Sequence, residues 1–166
     1  TNDFLEIPSS TDFYLNGSFT IEFWIYFNTL PTSGNTGLWI NSNDGGTQYM
    51  GIVYSHQNGI QTYDSGGGWN FNQGGTDGWE AKKWRHVAIV RDGNTSIKIF
   101  IDGKEEGANS SSPSGPNSNE YNIAIGGWLN STQKGNFGGN YFNGYLDELR
   151  VVKGTAVYTG DFDVPT

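Results

Sequence analysis

The sequence has no cysteine. No disulfide can staple it, so a fold outside the cell must rest on its core alone. At 166 residues that is feasible, because a chain of this size buries roughly 68–70% of the surface its unfolded form exposes. Thiol nucleophiles and thiolate metal sites are excluded as well. Histidine is scarce, and His56 and His86 lack the spacing of metal ligands. Basic residues are few: nine Lys and Arg stand against seventeen Asp and Glu, for a net charge of −8 and a pI near 4.5. So few scattered cations cannot displace the counterions of a phosphate backbone, which sets nucleic acid aside as a partner. The acidity keeps the chain soluble and offers hard oxygen ligands to Ca²⁺. No apolar run is long enough to span a bilayer and no leader pattern is present, so membrane insertion is not expected. The chain opens at once into strand-like sequence at Phe4–Ile7, as a module of a longer protein would.

Glycine and aromatic residues are abundant. There are 25 Gly, 6 Trp, 9 Tyr and 10 Phe, and the large rings argue for a packed core rather than disorder. Phe19, Ile21, Phe23, Ile25 and Phe27 alternate with Thr20, Glu22, Trp24, Tyr26 and Asn28. A period of two puts the first set on one face of a strand, and the partly aromatic second set predicts a half-covered opposite face. Further strands are predicted at Phe4–Ile7, Phe13–Leu15, Gly37–Asn41, Gln48–Tyr54, Gly59–Tyr63, Trp84–Arg91, Ser96–Ile101, Tyr121–Ile125 and Tyr141–Val152, with a weak one at Trp69–Asn72. Asn58-Gly59, Asp92-Gly93-Asn94 and Asp102-Gly103 supply the positive φ of tight hairpins. The one helix-friendly stretch, Trp79–Trp84, is too short to stand alone. The pattern predicts a single all-β domain over residues 1–166, an antiparallel sandwich or closed barrel.

Three connections exceed a hairpin turn: Asp64–Gly78, Ala108–Glu120 and Gly126–Asn140. Successive antiparallel strands send loops to alternate ends of a sheet. The plain count puts Gly126–Asn140 at the end opposite Asn41–Thr47; counting Trp69–Asn72 as a strand, the count adopted, places Asn41–Thr47, Asp64–Gly68 and Gly126–Asn140 at one end and Trp79 at the other. The shared end would gather Asn43, Asp44, Asp64, Trp69, Asn70, Trp128 and Asn130. A sugar ring needs an aromatic surface for its C–H face and planar amides or carboxylates for its hydroxyls, and this mixture supplies both. The plain alternative is that the Trp side chains plug the end of the sandwich and the Asn residues form turns. A second location is a sheet face carrying Tyr26, Tyr54 and Tyr63.

An ordered set of motifs adds to this reading. It comprises Phe19-Thr20-Ile21-Glu22-Phe23-Trp24-Ile25, Trp84-Arg85-His86-Val87-Ala88, Arg91-Asp92-Gly93-Asn94, Ile97–Lys104, Ile125-Gly126-Gly127 and Phe142–Val151. It resembles the laminin G-like, concanavalin A-like (pentraxin-related) jelly-roll superfamily over nearly the whole chain. The resemblance implies a two-sheet jelly-roll sandwich and leaves the ligand open, since one fold hosts many functions. Lys153–Gly160 is similar to versions in bacterial and phage surface proteins. Trp84 is expected in the core and His86 in a structural role. Pentraxin-like members bind Ca²⁺ through an early acidic–amide pair and a later acidic cluster. Asn43-Asp44 matches the first half, whereas Gly127-Trp128-Leu129-Asn130 lacks the acids of the second. A single Ca²⁺ on Asp44 or Asp64 is the version the sequence permits.

Glycosidase members place two carboxylates on one strand face, at i and i+2. Asp147-Glu148 and Glu105-Glu106 are adjacent and are expected to face opposite ways, and Asp161 and Asp163 lie in a terminal tail. Gly66–Gly68 and Gly74-Gly75 precede no helix that would cradle a phosphate. Four Asn-x-Ser/Thr sequons, at Asn16, Asn94, Asn109 and Asn130, matter only on a eukaryotic secretory route. The expectation is a non-catalytic carbohydrate-binding module of an extracellular bacterial or phage protein. A structural or protein-interaction module is the alternative, and a glycosidase is disfavoured.

Overall fold

The computed structural model describes residues 4–42, 48–64, 69–72, 77–93, 96–109, 121–127 and 141–165. Eleven strands among them form two antiparallel sheets. The six-stranded sheet runs β1 (Leu5–Ile7), β10 (Asn122–Ile125), β3 (Asn35–Ser42), β4 (Gln48–Ser55), β5 (Gly59–Asp64) and β6 (Trp69–Asn72). The five-stranded sheet runs β11 (Gly144–Lys153), β2 (Phe19–Phe27), β7 (Trp84–Asp92), β8 (Ser96–Ile101) and β9 (Lys104–Asn109). The predicted two-sheet jelly-roll sandwich is the fold observed.

The core follows from alternation. Phe19, Ile21, Phe23, Ile25 and Phe27 all turn inward and are buried, with Val87, Ile89, Ile99 and Ile101 beside them on the same sheet. Trp39, Met50, Ile52, Tyr54, Ile60 and Ile123 meet them from the other sheet. Each such side chain contributes about 1.5–3 kcal/mol by leaving water. Trp79 closes one end of this core, edge-on to Phe27 and Tyr54 at 5.9 and 5.1 Å.

Three strand expectations change. Thr11–Phe13 is a 3-10 turn rather than the start of a strand. The Ser10 side chain accepts from the Asp12 N–H and so offers the backbone a local bond in place of a ladder. Trp84 is not in the core: its position on β7 faces outward and it is 42% exposed. Lys104–Asn109 is a strand that hydrophobic pattern could not reveal. It is an edge strand rich in charge, the form edges take to resist unwanted pairing. The Asp102-Gly103 turn before it, with φ of 50° and 77°, is the hairpin that its residues predict.

That extra strand reverses the loop count. β3 ends at Ser42, and Asn122 of β10 pairs with Ser42 while Ile125 pairs with Trp39. β10 therefore runs away from the Ser42 end. Gly126 bonds the Leu38 carbonyl, Asn143 accepts from the Asn28 N–H, and Gly144 pairs with Phe27. The described residues on both sides of 128–140 thus lie at the Phe27 end, opposite Ser42 and Asp64. The expectation that Asn41–Thr47, Asp64–Gly68 and Gly126–Asn140 share an end is corrected accordingly.

Residues 155–165 cross the outer face of the five-stranded sheet. Ala156, Tyr158 and Phe162 pack on Ala88, Val90 and Phe100. Phe162 stacks on Tyr158 with ring centres 3.5 Å apart and nearly parallel. The Val157 N–H donates to Thr20, the Glu105 N–H to Asp161, and the Phe162 N–H to the Gly103 carbonyl. Beneath this segment lies Glu22, 3% exposed. It accepts from the Tyr158 hydroxyl at 2.7 Å and from Arg150, and His86 Nε2 lies 3.3 Å away. Burial raises the Glu22 pKa, but the bonds from His86, Tyr158 and Arg150 together with the Arg150 charge outweigh it. The net effect is a fall from 4.5 to about 2. Burial and the Glu22 bond push the Tyr158 hydroxyl up to about 12.

Two outcomes test this arrangement. A carboxylate with a depressed folded pKa stabilises fully above its unfolded value and loses that contribution as pH falls through the folded one. Up to about 3 kcal/mol should therefore disappear from the wild type between pH 4.5 and about 2. Urea unfolding at each pH should find Glu22→Gln about 3 kcal/mol less stable at pH 7, with the gap closing near pH 2. A gap independent of pH would refute the ionised pairing. Gly103 combines a φ of 77° with a Cβ position 2.0 Å from the Phe162 carbonyl. Gly103→Ala should cost roughly 1–3 kcal/mol and increase proteolysis of the C-terminal segment. An unchanged midpoint and digest would show that the segment does not depend on this contact.

Candidate ligand-binding face

The 155–165 segment covers one half of the outer face and leaves the Phe27 half open. There the strand register sets three aromatic residues side by side. Tyr145 of β11 pairs with Tyr26 of β2, and Tyr26 pairs with Trp84 of β7. Ring centres lie 5.8 Å apart for Tyr145–Tyr26 and 5.4 Å for Tyr26–Trp84, tilted by 59° and 50°. The row is faceted rather than flat. Tyr145 is 59% exposed, so its face is open to solvent. Gly144 makes the row's geometry attainable: a Cβ there would meet the Tyr26 carbonyl at 1.9 Å, and any larger residue would push β11 off β2.

Trp24 stands next along β2 on the same face, edge-on to His86 at 5.3 Å, with Asp147 as its cross-strand partner. A pocket of about 230 Å³ opens here, lined by Glu22, Trp24, His86, Glu148, Arg150 and Pro165. Its wall is shaped by a β-bulge. Asp147 pairs with Trp24 and Arg150 with Glu22, so β11 carries one extra residue between them. Glu148 takes a φ of 51° and its N–H donates to the Asp147 carboxylate. The adjacent acids do not face opposite ways as alternation predicts: Asp147 and Glu148 both reach the outer face because the bulge breaks the period. A larger cleft of about 740 Å³ adjoins Tyr145 at the open side of the sandwich, bordered by Phe4, Leu5, Ile125, Tyr141 and Phe142 among others. Arg85 is occupied elsewhere, 2.6 Å from Asp102 and above the Trp79 ring.

The residues predicted to form a loop-end site are described only in part. Asp64 ends β5 opposite Met50, Trp69 pairs with Tyr63, and Asn70 follows it on β6; for these three the description stops at the backbone. Asn43, Asp44, Trp128 and Asn130 lie outside the described residues. Of the alternative face, Tyr54 is buried in the core and Tyr26 stands on the outer face. Among the described residues, no group of three or more His, Asp or Glu could hold a metal ion. The aromatic row eluded sequence reasoning because its members sit on three strands far apart in the chain. Their alternation was visible, but their register was not.

The fold has many counterparts among solved structures. Domain 4 of AbnA, a GH43 extracellular arabinanase from Geobacillus stearothermophilus in complex with arabinotriose, aligns over 91% of this chain and 66% of its own. It is 18% identical, with a TM-score of 0.63. The CBM40 of a Ruminococcus gnavus IT-sialidase, bound to α2,3-sialyllactose, aligns over 95% of this chain and 92% of its own, at 12% identity and TM-score 0.63. The leech intramolecular trans-sialidase complexed with 2,7-anhydro-Neu5Ac aligns over 95% of this chain but only 26% of its own, at 14% identity and TM-score 0.65. At these identities the likeness is one of fold. No curated protein matches the chain in sequence. The profile of the concanavalin A-like lectin/glucanases superfamily, in its laminin G-like form, matches residues 1–156, and the chain belongs to that family.

Proposed function

We propose that this domain is a non-catalytic carbohydrate-binding module of an extracellular protein, and that glycan lies across the outer face of the five-stranded sheet. The observation that carries the reading is the in-register row Tyr145–Tyr26–Trp84 on the uncovered half of that face. Exposed aromatic rings on a rigid sheet offer C–H faces of sugars a large contact area at little entropic cost. Structures sharing the fold carry arabinotriose and sialyllactose, which agrees with a glycan partner. The arabinanase is itself extracellular. Among the described residues no helix is long and apolar enough to cross a membrane.

The carboxylate chemistry favours binding over turnover. Retaining hydrolysis needs one carboxyl group held protonated by a raised pKa beside an ionised one. Glu22, the buried carboxylate of this face, shifts the other way, down to about 2. Glu22 is also tied up by Arg150, Tyr158 and His86. Calcium on Asp44 or Asp64 is a separate proposal, read from whether binding survives EDTA.

The test is a glycan-array screen, run with Ca²⁺ and with EDTA, followed by titration of the best binder using tryptophan fluorescence. Trp84→Ala and Tyr145→Ala should each weaken binding about tenfold, which is about 1.4 kcal/mol. Thermal midpoints should hardly move, because both rings are exposed. Full affinity in both variants would remove the row from the site. An array without saturable binders would transfer the face to a protein partner.

A further inference from the structure

We infer that the pocket between Trp24, Glu148, Arg150 and Pro165 is a subsite for one uncharged sugar ring at the end of the aromatic row, and that it rejects carboxylated sugars. This rests on the glycan-binding reading and specifies its ligand.

The pocket continues the row, since Trp24 is the next outward residue after Tyr26 on β2. Its volume of about 230 Å³ is that of about eight liquid waters, room for a single ring rather than a chain. Its chemistry is a stacking surface, a donor and an acceptor. Trp24 is half-buried, which fixes its ring while leaving part of it accessible. Arg150 is 53% exposed at its side chain, and its guanidinium is anchored through Nε and one terminal nitrogen to the buried Glu22. The donors left over are therefore held in place before any ligand arrives, which lowers the entropy lost on binding. Glu148 is exposed and positioned by the bulge, an acceptor for hydroxyl groups.

The charge balance decides the ligand class. Arg150 is the one arginine or lysine lining the pocket, and ionised Glu22 beside it offsets its charge. Glu148 in the wall and Asp147 next to it leave a negative surplus, in a chain whose net charge is −8. A ligand carboxylate would meet like charge and find no unpaired cation to offset its lost hydration. An uncharged ring loses no ionic hydration and can use both the Arg150 donors and the Glu148 acceptor. The Ruminococcus gnavus CBM40 holds an acidic glycan, so shared fold and shared ligand class should part company here.

The experiment compares neutral, sialylated and uronic-acid glycans on one array, then titrates the best neutral and best carboxylated probes. Wild type should bind neutral glycans at least tenfold more tightly, with the margin narrowing as salt is raised. Glu148→Asn removes the charge while keeping a residue that tolerates positive φ. It should weaken the neutral probe about fivefold and narrow the margin over the carboxylated one. Trp24→Phe should weaken the neutral probe several-fold. Preferential binding of carboxylated glycans would overturn the inference and leave glycan binding intact. So would neutral binding that is lost in Trp84→Ala but untouched in Glu148→Asn and Trp24→Phe. Absence of any glycan binder would sink the reading beneath it as well.

Discussion

The Glu22 carboxylate is the contact on which the outer face depends. A charge that deep is tolerated only when partners replace its water, and here they come from β11, β7 and the C-terminal segment at once. Arg150 fixes the second half of β11 against β2, His86 locks β7 in the same register, and Tyr158 pins the segment that crosses the sheet. Removing Arg150 would leave the others arranged around an uncompensated charge, and removing His86 or Tyr158 would leave the buried carboxylate short of a hydrogen bond. The cluster therefore acts on arrangement as well as on stability: it requires β11, β2, β7 and the segment to meet in one way.

That requirement divides the face. Thr20, Glu22, Ala88, Val90 and Phe100 lie under residues 155–165, whereas Tyr26, Trp84 and Tyr145 remain uncovered. The bulge at Glu148 sits on the boundary. Without the extra residue, continued pleating would turn the side chains beyond Asp147 the other way. Arg150 could not then reach Glu22 while Leu146 and Leu149 both pack toward the core. One irregularity thus reconciles the apolar inner face of β11 with the charged cluster outside it, and leaves Glu148 facing solvent.

The sandwich was legible because alternation along β2 and β7 and the Gly turns are local signals. The weak Trp69–Asn72 strand was legible for the same reason. β9 was not, because an edge strand has no need of an apolar face and Lys104–Asn109 has none. That single omission moved the predicted position of the residues flanking 128–140 to the wrong end, since strand parity sets at which end a strand begins and stops. Trp84 was misassigned for a related reason. Its motif begins a core strand, but the first residue of that strand lies on the outward phase and only its neighbours show where the strand starts to be covered. Register between distant strands is a tertiary property, so the grouping of Tyr26, Trp84 and Tyr145 could not be read from one strand at a time.

A sheet face and a loop end make different kinds of site. Any ordering that binding itself requires costs entropy. Residues on paired strands are already ordered by folding. Tyr145, Tyr26 and Trp84 are spaced by the hydrogen-bonded ladder itself, and Arg150 is held by a buried carboxylate. An uncharged, hydroxyl-rich ligand exchanges bonds to water for bonds to protein and gains little per contact, so a surface whose ordering cost has already been met has the advantage. In this chain the described face combines that rigidity with exposed rings and paired polar groups. That preordering is the physical ground for proposing the strand face as the place where glycan would be held.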